Sequence, residues 1–119
     1  MELIEELESL GVDIEEGMKR TLGDQGLYEG MLEMFADEVR TAHIRREDFD
    51  SGRLDVLERE ILRLKGIAEN LCLTPLFNAY VKTLEFLDDG QLHKARDVFI
   101  KTLQVQTAIV DCIEQQSTV

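Results

Sequence analysis

Few side chains in this 119-residue sequence are suited to covalent or metal chemistry, and their spacing narrows the choice. The two histidines, His43 and His93, lie near the end of one helical pattern and in the first turn of another. Either imidazole could carry a proton or a phosphoryl group, but each reads more simply as a solvated surface residue. The two cysteines, Cys72 and Cys112, sit inside apolar helical patterns without Cys-x-x-Cys or Cys/His spacing, so buried reduced thiols are expected rather than a disulfide or a zinc site. Asp48, Asp50, Gly52 and Glu58 hint at a calcium loop. Placing Gly52 at the sixth loop position, however, puts Phe49 where an oxygen ligand is required, and the stretch reads as a solvated turn. There is no Glu-x-x-His pair for a di-iron bundle, no Gly-rich phosphate cradle and no Ser/His/Asp set. Glu2, Glu5 and Glu6 read as a solvated helix face. No catalytic residue, metal or cofactor is expected.

Composition narrows the partners. Asp and Glu number 25 against 13 Lys and Arg, a formal charge of -12, so a phosphate backbone or an anionic membrane surface would be repelled. Neither nucleic acid nor membrane is expected as a partner. With 44% hydrophobic residues and a single proline, the chain has enough apolar surface for one core, and residues 1–119 read as one domain. The segment Met1 to Glu6 lacks the basic region and long apolar run of a secretory signal, which suggests a cytoplasmic protein.

The elements that must position any site are helices. Gly11, Gly23, Gly52, Pro75 and Gly90 punctuate the sequence, and the segments between them carry three-and-four periodicity, so the fold class is all-α. A short helix is expected over about Glu2 to Leu10. A second is opened by an Asp13/Glu16 capping box and stops near Gly23. Asp24 caps a third, about Gln25 to Arg45, with a core stripe of Leu27, Met31, Met34 or Phe35, Glu38 or Val39, and Ala42. Met18, Met31 and Met34 read as core filler. A fourth runs from about Arg53 to Asn70 with Leu54, Leu57, Ile61, Leu64 and Ala68 buried. Thr74 before Pro75 reads as the N-cap of the fifth, which ends at Asp89-Gly90, and the sixth spans about Gln91 to Gln115. Short connections between long amphipathic helices favour an antiparallel four-helix bundle, with the short N-terminal helices packed across one end.

On the fourth helix, one apolar residue breaks the pattern. At about 100° per residue, Leu62 falls on the polar face with Arg59, Gly66 and Glu69 and should be exposed. Gly66, one turn later, costs the helix about 1 kcal/mol relative to alanine and leaves a notch that suits the close approach of another surface.

The segment Leu62-Arg63-Leu64-Lys65-Gly66-Ile67-Ala68-Glu69-Asn70 resembles the His-x-Leu-Lys-Gly-x-Ala-x-Asn signature of histidine-containing phosphotransfer (HPt) domains in every defined slot except the first. Gly11 to Gly17, Gly23-Asp24, Leu27-Tyr28, Leu32 and Phe35 are similar to the N-terminal half of that family, and Leu76 with Leu84-Glu85 to its next helix. The resemblance covers about Gly11 to Phe86. It implies a bundle of HPt type, a role in two-component phosphorelay signalling, and a receiver domain or a histidine kinase as partner. In the family the lysine slot, here Lys65, supplies positive charge near the phosphoryl group, and the glycine slot, Gly66, lets the receiver come close.

The departure is mechanistic. Leu62 fills the slot of the phosphorylated histidine, and its side chain has no nitrogen with which to attack an aspartyl phosphate. The expected function is docking without phosphotransfer, through Arg59, Leu62, Lys65, Gly66 and Glu69 on a face made by the third and fourth helices. Two alternatives stand beside it: a phosphorelay carrier that uses His43 or His93, and a helical scaffold that oligomerises or assembles through its acidic surface.

Overall fold

Helix ends in this protein are fixed by local hydrogen bonding, and most of them fall near the punctuation in the sequence. A computed structural model describes residues 2–50 and 52–117. Among the described residues there are six α-helices and no strand: α1 (Glu2–Ser9), α2 (Ile14–Arg20), α3 (Gln25–Ala42), α4 (Leu54–Asn70), α5 (Thr74–Asp88) and α6 (Leu92–Ser117). A single 3-10 turn, Arg46–Phe49, lies between α3 and α4. Asp13 and Asp24 cap α2 and α3, each side chain accepting a backbone N–H, from Glu16 at 3.2 Å and from Leu27 at 3.0 Å. The expected capping box at α2 is only half made, because the N–H of Asp13 donates instead to the Cys72 carbonyl at 3.0 Å.

Four helices stop in the same way. The chain turns through one left-handed residue, and the following N–H reaches back five residues: Val12 to Leu7, Gly23 to Met18, Leu73 to Ala68 and Gln91 to Phe86. Glycine takes the left-handed position after α1 (Gly11) and α5 (Gly90), where the missing Cβ makes it inexpensive. After α2 and α4 the same position falls on Leu22 (φ 56°) and Cys72 (φ 57°).

The four long helices pack in a ring, α3 on α4, α4 on α5, α5 on α6 and α6 back on α3. One apolar core runs through the ring and includes Tyr28, Phe35, Ile61, Leu64, Leu76, Tyr80, Phe99 and Ile109. The N-terminal helices sit at the end that carries the α4–α5 connection. Gly11 lies so close to Pro75 that an added Cβ would be 2.9 Å from Pro75 Cγ, and an Arg20 guanidinium nitrogen donates to the Glu69 carbonyl at 2.8 Å.

Several expectations need correction. The stripe of α3 is turned by about one position: Tyr28, Leu32, Phe35 and Ala36 are buried, whereas Leu27 is 52% exposed and Met34, expected as core filler, is 65% exposed. Tyr28 takes the core position because it is doubly accommodated. Its hydroxyl donates to the Leu71 carbonyl at 2.8 Å, and its ring fills the space left by Gly17, where a Cβ would stand 2.6 Å from Tyr28 Cε1. Helix α3 ends at Ala42 rather than Arg45, because His43 turns into the left-handed region (φ 44°). Leu73, not Thr74, is the N-cap of α5, and the Thr74 hydroxyl donates back to the Cys72 carbonyl at 3.3 Å. The stretch read as a solvated turn is anchored: Phe49 is 1% exposed and its ring centroid lies 5.5 Å from that of Phe99.

Candidate functional site

The outward flank of α4 is laid down by its apolar periodicity. Leu57, Ile61, Leu64 and Ala68 are buried, which turns the positions between them to solvent. Leu54, expected in the core, is only half-buried at the start of the helix. Leu62 is 53% exposed. Arg59 and Lys65 lie three positions before and after it, so their side chains leave the helix about 60° to either side of the leucine. Arg59 is exposed, and Lys65, expected to be exposed, is half-buried. Among the described residues neither cation has a carboxylate partner. Gly66 stands on the same flank, and a Cβ added there would meet nothing within 4 Å, so the notch is open to solvent.

The flank is therefore an apolar knob between two uncompensated cations. Its ends are acidic, with Asp55 and Glu58 before it and Glu69 after it. Arg20, held on the Glu69 carbonyl, joins the C-terminal end of the flank to α2. A cleft of about 230 Å³ opens there, lined by Asp13, Glu16, Arg20, Glu69 and Phe77 among others. Arg20 was not among the expected site residues. Its only sequence signal is the four-residue spacing to Glu16, and the two side chains lie 3.7 Å apart.

The expected face shared by α3 and α4 is not where Leu62 points. Arg63 spans that seam, with a guanidinium nitrogen 3.2 Å from a Glu38 carboxylate oxygen. Leu62 is one residue removed, about 100° around the helix and away from α3. The flank thus brings together Arg59, Leu62, Lys65, Gly66 and Glu69, and it leads towards α2 rather than α3.

Neither histidine joins this flank. His43 lines a cavity of about 250 Å³ with Arg45, Arg53, Val56 and Glu60, on the side of α4 that faces α3. The Nδ1 of His93 lies 3.1 Å from an Arg96 guanidinium nitrogen, and since guanidinium can only donate, the ring nitrogen is the acceptor. Both cysteines are buried free thiols. Burial is the main cause that pushes Cys72 above the ordinary thiol range. Cys112 is pushed up to about 12, chiefly by burial and then by Glu6, whose carboxylate accepts its S–H at 3.1 Å.

No family model, curated protein or solved structure matches the chain.

Proposed function

We propose that this chain is an HPt-like module, an antiparallel four-helix bundle of that type, which docks a receiver domain or a histidine kinase of a two-component system without accepting phosphate. The observation that carries the reading is Leu62, half exposed in the phosphohistidine slot and bracketed by Arg59 and Lys65 beside the open Gly66. A leucine cannot bind phosphorus, but it can bury area. Covering its exposed half stabilises a complex by about 1 kcal/mol, while the two cations favour the acidic pocket of a receiver over other surfaces. The charge is local. With -12 overall, most of the surface repels an acidic partner, so attraction confined to this flank would set the orientation of docking.

The test is an NMR titration of the labelled protein with candidate receivers and kinases. Shifts should centre on residues 59–69, Gly66→Arg should abolish binding by bulk, and Lys65→Glu should slow association by an amount that shrinks as salt rises. Incubation with a phosphorylated receiver should leave no acid-labile phosphate on the protein, whereas Leu62→His should accept it from a partner that binds. Shifts confined to other faces, or binding unchanged in both surface variants, would remove the docking reading. Labelling lost on changing His43 or His93 would replace it with the carrier reading.

A further inference from the structure

The seam between α5 and α6 carries a second uncompensated positive patch, unrelated to the flank of α4. A groove of about 430 Å³ lies along it, with Ala79 of α5 and Val98 and Val105 of α6 in its floor. Lys82 stands on one wall and Lys101 on the other, both exposed. No acidic residue lines the groove, and among the described residues neither lysine has a carboxylate partner. Lys94, seven positions before Lys101 and so on the same face of α6, adds a further cation beyond the groove, its ammonium 5.8 Å from the centroid of the Phe86 ring, with the exposed Asp97 between the two lysines.

We propose that this groove docks an acidic amphipathic helix supplied by a partner protein. Charge selects the occupant: in a chain of -12, a groove walled by two unpaired lysines and free of carboxylates attracts anionic side chains that the rest of the surface repels. Shape selects a helix. Val98 and Val105 lie two helical turns apart, about 10 Å along α6, which matches the spacing of apolar residues at i, i+3 or i+4, and i+7 on an incoming helix. Glutamates flanking that stripe would then meet Lys82 on one side and Lys101 on the other. The chain's own acidic helix α1 is not such a ligand, since its apolar residues Leu3 and Leu7 are already buried in the core. The groove is also separate from the Leu62 flank. The α5 residues that border the flank's cleft are Thr74 and Phe77, while Asn78, Ala79 and Lys82 line the groove.

The probe is a synthetic helical peptide of about 14 residues with leucine at i, i+3, i+4 and i+7 and glutamate elsewhere, titrated into the labelled full chain and followed by NMR. Saturable shifts are expected at residues 78–82 and 98–105, with affinity falling as salt rises. Changing Lys82→Glu and Lys101→Glu together should weaken binding at least about tenfold, the paired glutamine changes by less, and Leu62→Asp by less than about twofold. All three side chains changed are exposed, and unaltered helical circular dichroism would verify that the variants fold. The same peptide with lysine in place of glutamate should not shift the groove residues. The proposal is overturned by shifts centred elsewhere, by the absence of saturable shifts up to about 1 mM peptide, by equal binding of the lysine peptide, or by a charge-reversal variant that binds as the parent does.

Discussion

At the scale of single residues, the left-handed Leu22 is the clearest point of strain. Its side chain is 95% exposed, so it buries almost nothing in return for a backbone conformation that costs a residue with a Cβ about 1–2 kcal/mol. Leu22→Gly is expected to gain about 0.5–1 kcal/mol after allowance for the freer unfolded chain, seen as a higher thermal midpoint, whereas Leu22→Ala keeps the strain and should leave it unchanged. Cys112 makes a different prediction. Because its pKa in the folded protein is raised from 9.0 to about 12, the fold binds the thiol proton more tightly than the unfolded chain does. That contribution is complete below the unfolded value and is lost as pH rises from about 9 to about 12. Glu6→Gln removes the negative charge beside the sulfur while leaving an acceptor, so it should speed reaction of the folded protein with a thiol reagent at mildly alkaline pH. Burial, the largest cause, should still keep that reaction slower than in urea-unfolded chain.

Among the elements, the 3-10 turn does more than its four residues suggest. Phe49 docks it on Phe99, and Asp50 lies 3.6 Å from the Arg96 guanidinium, so the long α3–α4 connection is tied to α6. Phe49→Ala should cost about 3–5 kcal/mol in urea unfolding, while Arg46→Ala, exposed on the same turn, should stay within about 0.5 kcal/mol. This element also marks the limit of what the sequence could say. Helix number and the phase of α4 were legible because its stripe is long and uniform, and with it the exposure of Leu62. The phase of α3 was not, since Tyr28 is drawn inward by a carbonyl of the α4–α5 connection and by the gap at Gly17, neither of which is near it in sequence. Nor can periodicity find a buried anchor in a short charged loop, because one apolar residue has no period. The α5–α6 groove was hidden for a related reason: Lys82 and Lys101 belong to different helices, and only packing makes them neighbours.

For the molecule as a whole, charge and shape act together. The 42 Å long axis is close to the length of α6, whose 26 residues span about 39 Å, so that helix is the spine against which α1, α3 and α5 are laid. Excess negative charge spread over such a rod opposes compaction, and the exposed ion pairs offset little of it. Raising sodium chloride from about 0.02 to about 0.5 M should therefore stabilise the fold by about 1 kcal/mol, read as an increase of roughly 5 °C in the melting temperature. The Cys112–Glu6 bond has a further consequence, in the order of assembly. Helices α4, α5 and α6 are joined by connections of three residues and can zip together locally, but that bond closes the chain over 106 residues. Contacts of such separation repay their loop entropy only after the rest is in place, so α1 is expected to dock last and to lift away first. Access to the sulfur beneath it should therefore rise with the fraction of time that the amino-terminal arm spends undocked.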